Sequence, residues 1–553
     1  MNKKLISLLV VLSVSFVSVF GQTRRYTNLF NENELRAHVR FLSDDLLEGR
    51  GPGTRGGELA AKYIAAQLES YGLKGAGEKG SFFQPVSLVA VKASPDTTLN
   101  ISGNGKNESF KFAEDFVAFT GAQKDDVSLD ADLVYVGYGI DAPEQKWNDY
   151  KGNANDYRGK ILVMMVNDPP ATAAEPNLFG AKALTYYGRW TYKFEQAARM
   201  GAVGVILIHT DESAGYGWNV VRTSNGSWRY DIARTSDNKT PFLEMRSWMT
   251  NDTAKKVFSM AGKDLNALKK SAESRDFEPV DLGLKAKINI KSELKRVNAP
   301  NVVGIWQGSD AKLKNEYVVY TAHWDHLGIG APNKQGDTIY NGALDNSSGV
   351  AQVLAIAKAF TKLPKAEQPK RSQVFVFTTA EEQGLLGAEW YAAHPLFPLN
   401  KTAANINIDG GNFYGLTRDY GALGAERSSL WNVVNGVLKE RRITFLPDSR
   451  PEQGYFFRSD HFPFAKVGVP SLSIRTGDDF VGKPKDWSKK VFEEFNTKHY
   501  HQPSDEFNES WRFDGMIQSL DISMAIGMRV SNLTALPAYN ANDEFARAQP
   551  NRK

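Results

Sequence analysis

Residues 317–326 have the sequence YVVYTAHWDH, in which five apolar or β-branched residues are followed at once by two histidines and an aspartate. The run Tyr317–Thr321 predicts a buried β-strand. Helical and strand-like patterns then alternate along the chain, at 348–360, 373–377, 384–393 and 404–408. Such alternation predicts an α/β fold, here a mixed, largely parallel central sheet with helices on both faces.

Five polar motifs lie at or near the ends of these strands. They are AHWDH (322–326), GALDNSSG (342–349), TTAEEQG (378–384), NINIDGG (405–411) and HYHQPSD (499–505). Ligand sites in open α/β sheets form at the carboxyl ends of strands. Each motif alone also fits a core histidine or a helix cap, but together they bring His, Asp and Glu side chains from separate strand ends. The chain has no cysteine, so these nitrogen and oxygen donors predict a two-metal centre suited to zinc.

The adjacent residues Glu381 and Glu382 strengthen this interpretation. Two neighbouring carboxylates at the end of an apolar strand repel each other unless a cation lies nearby. Consecutive side chains of an extended segment point in opposite directions. One carboxylate can therefore bind a metal while its neighbour faces the attacking water.

In this order, the five motifs resemble those of the co-catalytic zinc aminopeptidases, the family of metallopeptidase clan MH that includes aminopeptidase S, aminopeptidase Y and glutamate carboxypeptidase. The resemblance covers most of residues 27–128 and 290–535, and it includes the upstream segment LSDDLLEGR at 42–50. It implies a zinc exopeptidase fold, two zinc ions per chain and peptide substrates. The activity that it implies is that of an aminopeptidase.

The resemblance also implies a role for individual residues. One zinc ion would be held by His323 and Asp409, the other by Glu382 and His501, and Asp345 would bridge the two. The remaining roles are general base for Glu381, oxyanion stabilisation for Tyr500, partners of the two histidines for Asp325 and Asp505, and substrate contacts for Arg458, Asp460 and His461.

The middle of the chain resembles a protease-associated (PA) domain. The motifs are GYGI at 137–140, DYRGKILV at 156–163 and AARMGAVGV at 197–205, while 213–234 is expected to be a long loop. A chain of 553 residues is too long for one compact core. We expect a signal peptide (1–21), peptidase segments (22–128 and 291–535), a PA-like insertion (129–290) and a polar, poorly ordered tail (536–553).

The N-terminus predicts export. Lys3 and Lys4 precede an apolar run that ends at Phe20, and polar residues follow Gly21, which is the pattern of a cleaved signal peptide. The predicted location is periplasmic or secreted. The apolar run is shorter than the roughly 20 residues of a membrane span, and we expect no stable span after cleavage. With 67 Lys+Arg against 63 Asp+Glu, no strong field attracts nucleic acid.

Three alternative functions share this fold, and the oligomeric state is open at this stage. A carboxypeptidase of the glutamate carboxypeptidase kind carries a similar insertion and a motif close to EEQGLLG at 381–387. A cluster of arginines around the substrate pocket would favour that activity. A receptor-like binding protein of the same fold would have lost metal ligands, and glutaminyl cyclase shares the fold but uses one zinc; the complete ligand set argues against both.

Overall fold

A central mixed sheet carries the strands that the sequence predicted. The computed structural model describes residues 25–214, 217–226, 228–235 and 240–549, so the predicted signal peptide lies outside the described residues. The sheet is formed by Lys74–Gly75, Phe83–Ala93, Arg229–Ile232, the second half of Val280–Trp306, Tyr317–His323, Ser372–Thr378, Thr402–Ile408, Asp419–Leu423, Thr444–Phe445 and Ser471–Thr476. Its four central strands run parallel, in the spatial order 372–378, 317–323, 402–408 and 471–476.

Helices cover both faces of this sheet, as predicted. Alternate residues of the strand Tyr317–His323 enter two different cores: Val318 and Tyr320 pack into the main core, and Val319 packs into a smaller one on the opposite face. The helices of the chain are Glu32–Leu42, Arg55–Ser70, Trp190–Arg199, Asp211–Ala214, Trp218–Gly226, Asn251–Met260, Leu265–Ser271, Ser348–Thr361, Leu386–Ala393, Leu430–Arg441, His461–Lys466, Trp487–Lys498 and Asp514–Asn532. None of the helices in the described part of the chain is long and apolar enough to span a membrane.

A second sheet occupies the middle of the chain and has its own apolar cores. It consists of Thr98–Gly103, Lys106–Phe110, Phe116–Thr120, Asp126–Tyr135, Ile161–Met165, Gly204–His209, Met245–Thr250 and the first half of Val280–Trp306. The 27-residue strand Val280–Trp306 therefore belongs to both sheets. The second sheet also begins at Thr98, earlier than the predicted start of the insertion at 129, because strands 98–120 pair with strands of the insertion.

The segment 213–234 is not the long loop that we expected from its Gly, Trp, Tyr and Ser content. Its described residues include the helix Trp218–Gly226 and the strand Arg229–Ile232. The strand pairs antiparallel with Phe83–Ala93 at the edge of the central sheet. The local sequence does not indicate pairing with a strand more than 130 residues away, and this pairing gives the segment its strand structure.

The end of the chain also differs from expectation. The described residues after 535 are packed against the peptidase segment, although their composition is polar. Tyr539 and Phe545 are buried, and the Tyr539 hydroxyl donates a hydrogen bond to the Val469 carbonyl at 3.0 Å. Arg427 pairs with both Asp543 (2.9 Å) and Glu544 (2.5 Å). Two aromatic anchors and this ion-pair group fix the segment.

Candidate metal centre

The predicted ligand residues converge at the carboxyl edge of the four parallel strands. His323 is the last residue of its strand, and Asp409 directly follows the neighbouring strand Thr402–Ile408. The two residues meet, with His323 Nε2 lying 3.2 Å from Asp409 Oδ1. Glu381 and Glu382 come from the turn after Ser372–Thr378, the strand on the other side of His323. Parallel pairing brings these separate motifs to one edge.

Asp345 lies between the two histidines. Its Oδ1 is 3.1 Å from His323 Nε2, and its Oδ2 is 3.3 Å from His501 Nε2. Each oxygen of one carboxylate thus faces a different imidazole. This is the arrangement expected of a carboxylate that bridges two cations.

Glu382 is held between two imidazole rings. Its Oε2 lies 2.9 Å from His501 Nε2, and its Oε1 lies 2.6 Å from His326 Nδ1. Burial and the Asp345 carboxylate oppose ionisation of Glu382, but the two histidines prevail and lower its pKa to about 2. Glu382 is therefore an anion in the neutral pH range.

Glu381 has a different environment from its neighbour. Its backbone N–H donates to Asp325 Oδ1 at 3.1 Å, while its Oε2 is 3.9 Å from His323 Nε2. The Glu381 carboxylate accepts no hydrogen bond from any residue in the described ranges. Burial raises its pKa well above the usual range, with the Asp409 and Glu382 charges adding to the effect and His323 opposing it. A carboxylate of raised pKa is suited to accept and pass on a proton.

The donor set fits zinc. Two groups of ligand atoms each lie within 4.8 Å of one another, namely His323, Asp345 and Glu382, and His323, Glu381 and Asp409. These imidazole and carboxylate donors match the preferences of zinc. Carboxylates clustered in this way repel one another, and bound cations would neutralise their charge.

The backbone around these ligands is tied together by two buried polar side chains. Asn346 accepts from the Gly410 N–H at 2.9 Å and donates to the Ile408 carbonyl at 3.2 Å, so it joins the Asp345 loop to the strand that precedes Asp409. Asp505 accepts from the N–H groups of Leu344 and Asp345, the latter at 3.1 Å. The same loop is therefore fixed from two sides.

The two aspartates expected to orient the histidines act through the backbone instead. His323 Nδ1 lies 3.1 Å from the Asp325 carbonyl oxygen and 3.9 Å from the nearer carboxylate oxygen. The Asp505 carboxylate accepts the two backbone N–H groups just described rather than a proton of His501. Each aspartate follows its histidine closely in sequence, but the turn in between carries its carboxylate to the neighbouring loop.

Tyr500, predicted to stabilise the oxyanion, and the three predicted substrate residues lie in different surroundings. Tyr500 is 47% exposed, and its ring stacks on that of His501 with centroids 3.8 Å apart. Arg458 is exposed, whereas Asp460 and His461 are fully buried. Asp460 accepts a hydrogen bond from the Thr378 hydroxyl, and burial lowers the pKa of His461 to about 3. Of the three, only Arg458 is open to solvent, because Asp460 and His461 begin a helix that packs into the protein.

Two residues near the centre were not singled out from the sequence. His326, the last residue of the quoted segment 317–326, is fully buried against Glu382. Ser459 donates to Asp409 Oδ2 at 2.5 Å. The histidine belongs to a strand-end motif and could have been found there, whereas nothing in the local pattern distinguishes the serine.

Part of the chain is similar to a known family of proteins. Residues 301–524 match the sequence model of peptidase family M28. Aminopeptidase NAALADL1 of Rattus norvegicus is 33% identical over 139 residues, which are 24% of this chain and 17% of that protein. Aminopeptidase YwaD of Bacillus subtilis is 26% identical over 210 residues, 37% of this chain and 39% of that protein. The matches thus cover less than half the length of these relatives.

The structure can also be compared with solved ones. The chain superposes on an aminopeptidase from Aneurinibacillus sp. strain AM-1 with a TM-score of 0.48 and 19% sequence identity. The superposition covers 91% of this chain and 94% of that one.

Proposed function

We propose that this chain, whose residues 301–524 match the sequence model of peptidase family M28, is a zinc-dependent exopeptidase that releases residues from the N-termini of peptides. One observation carries the proposal: histidines and carboxylates from five separate motifs meet at one sheet edge, with Asp345 in contact with both His323 and His501. The relatives named above as aminopeptidases support the choice of activity.

The residues at this edge divide naturally into two sets. His323 and Asp409 would hold one zinc ion, Glu382 and His501 the other, and Asp345 would serve both. Zinc, when bound, polarises a peptide carbonyl and lowers the pKa of water. We assign the proton transfer to Glu381, whose carboxylate is free of protein hydrogen bonds in the described part and whose pKa is raised by burial. In this role Glu381 takes a proton from water and delivers it to the leaving amine.

Tyr500 is positioned to assist by hydrogen bonding. Although the side chain as a whole is 47% exposed, local desolvation of its hydroxyl and the nearby Asp345 and Glu382 carboxylates raise the pKa of Tyr500 above its usual value. The hydroxyl therefore stays protonated and can donate. We propose that it donates to the oxygen of the peptide carbonyl as negative charge develops there.

The middle segment of the chain also has a role in this proposal. A cleft beside Gln383, the residue after Glu382, is lined by Glu48, Tyr230, Leu327 and Ile329. Tyr230 belongs to Arg229–Ile232, the strand supplied by the middle of the chain. We propose that the middle segment is a PA-like domain that helps to receive the peptide, and that the mature protein is exported.

One observation favours a carboxypeptidase as the second candidate. The guanidinium groups of Arg450, Arg458 and Arg475 lie 5.3, 5.5 and 5.5 Å from the ring centroid of Tyr455. Arg475 follows Ile474, which pairs with Ile408 beside the Asp409 strand end. Asp448 lies 3.8 Å from Arg475 and offsets part of this charge. A substrate carboxylate would find cationic partners here.

A peptide panel separates the two activities. One half has a free N-terminus and an amidated C-terminus, and the other half is N-acylated with a free C-terminus. The proposal predicts hydrolysis of the first half only, in a zinc-dependent and chelator-sensitive manner. Hydrolysis of the N-acylated half alone would refute the aminopeptidase activity and support the carboxypeptidase activity. No hydrolysis of either half by zinc-loaded protein would refute both.

A further inference from the structure

Arg50 is a buried cation whose bonds all go to backbone carbonyls. It is 1% exposed. Its Nε donates to the Trp324 carbonyl at 2.8 Å, and its terminal nitrogens donate to the carbonyls of Asn341 (2.5 Å), Gly342 (3.0 Å) and Leu42. No carboxylate of the described residues forms an ion pair with it. A guanidinium group presents a rigid fork of donors, and here the fork joins three separate segments.

The segments that Arg50 joins carry the first two ligand motifs. Trp324 directly follows His323, and Asn341 and Gly342 begin the loop that presents Asp345. The same loop is also held from the N-terminal side, because the Asn341 side chain donates to the Ser43 carbonyl at 2.9 Å and to Asp45 Oδ1 at 2.7 Å. The segment 42–50 is thus hydrogen-bonded to the first residues of the loop that presents Asp345.

The charge of Arg50 faces the same centre. A buried cation without a contacting carboxylate is costly, and burial lowers the pKa of Arg50 to about 10, where it is still protonated at neutral pH. The carboxylates that favour its charge are those of Asp325, Asp505, Asp345 and Glu382. All four belong to the metal-site motifs, so the cation and the acidic cluster offset each other.

We propose that Arg50 is a positioning residue of the metal centre, which fixes the His323 strand end and the Asp345 loop relative to each other and so sets the affinity for zinc. This inference rests on the proposed zinc site. It adds a residue from the N-terminal segment, about 270 positions before its first acceptor in the centre.

Arg371 is a matched control at the opposite end of the sheet. It is also fully buried, and it donates to the carbonyls of Val530, Ser531 and Leu533 at 2.9, 3.3 and 2.6 Å, but unlike Arg50 it also pairs with a carboxylate, that of Glu316, at 2.7 Å. It precedes the first residue of Ser372–Thr378, whereas the ligands follow the last one. Its loss should affect stability without affecting the metal centre.

The experiment measures zinc affinity and thermal stability of Arg50→Lys and Arg371→Lys in the full chain. Zinc dissociation constants come from competition with a chromophoric chelator, and the Tm comes from calorimetry of the metal-free protein. Arg50→Lys keeps the charge but loses the fork, and we expect its zinc affinity to fall about 10- to 100-fold. Arg371→Lys should lower the Tm and leave zinc affinity within about twofold of the wild type.

The outcomes are distinct. A folded Arg50→Lys protein with wild-type zinc affinity overturns the inference, as does an equal loss of affinity in Arg371→Lys. If Arg50→Lys does not fold, Asn341→Ala serves as the second variant, because it keeps Arg50 but frees the same loop from Ser43 and Asp45. This variant must bind zinc more weakly than the wild type, and an unchanged zinc affinity overturns the inference. Wild-type protein that binds no zinc would instead refute the proposed function itself.

Discussion

Replacing Glu381 and Glu382 in turn by glutamine should produce two different defects, although the two residues are neighbours of identical chemistry. Glutamine keeps the size of glutamate but can neither accept a proton from water nor carry a charge. In the structure, Glu382 contacts His326 at 2.6 Å and His501 at 2.9 Å. Among the described residues, the Glu381 carboxylate approaches one imidazole, that of His323, at 3.9 Å.

The magnitudes follow from these contacts. Glu381→Gln breaks no hydrogen bond of the described residues, so zinc content should stay near that of the wild type. Loss of a general base should lower kcat by about 10²–10⁴-fold. Glu382→Gln removes the charged partner of two buried or half-buried imidazoles. A hydrogen bond to a charged group contributes about 1.5–3 kcal/mol, so zinc binding should weaken by at least about tenfold.

The assay measures kcat on a free-amine peptide and bound zinc by atomic absorption for both variants. Excess zinc should partly restore Glu382→Gln and should leave Glu381→Gln inactive. The geometry offers a direct competitor to this reasoning, because ligand atoms of His323, Glu381 and Asp409 also lie within 4.8 Å of one another. If Glu381→Gln loses a zinc ion and keeps turnover, Glu381 is a ligand and the assignment is refuted.

Three further predictions concern the metal, the pH dependence and the end of the chain. Exhaustive chelation should abolish activity and zinc should restore it, with metal analysis giving close to two ions per chain; full activity without metal would contradict the proposed centre. Glu34 pairs with Lys358 at 2.9 Å, and its pKa is lowered to about 2, chiefly by His38. Because a lowered pKa in the folded state stabilises the protein above about pH 4.5, the Tm difference between wild type and Glu34→Gln should shrink as the pH falls from about 5 to 2. A Tm difference that stays constant over this range would argue against this role of Glu34. Phe545→Ala should cost about 3–5 kcal/mol in denaturant unfolding, because the ring is 4% exposed; a loss below about 1 kcal/mol would show that the packed tail contributes little.

The central sheet was predictable because its strands are continuous apolar runs. The predicted strands at 317–321, 373–377 and 404–408 agree with Tyr317–His323, Ser372–Thr378 and Thr402–Ile408 to within two residues at each end. Burial on both faces of a parallel strand leaves little room for polar residues, so the pattern is strong. Three of the site motifs, at 322–326, 378–384 and 405–411, were found for the same reason, since each lies at the end of such a run.

Other features depend on partners that are distant in sequence. The carboxylate of Asp505 was expected near His501, but it bonds to backbone groups some 160 residues earlier. The residues after 535 have a polar composition, and their packing depends on Arg427, more than 100 residues away. Arg50 has no local sign of its role, because its acceptors in the centre lie about 270 to 290 residues later. The local sequence pattern does not predict such pairings.

The strand Val280–Trp306 has a consequence for the order in which the chain folds. All partners of its first half lie between residues 98 and 135, so they precede it in the chain. Its second half also pairs with Ser372–Thr378, which is made later. Domains generally fold as units, with the N-terminal ones first, while the chain is being synthesised. We expect the second sheet to be complete while the ligand-bearing strands are still unpaired, and its shared strand to offer them the first edge on which to assemble.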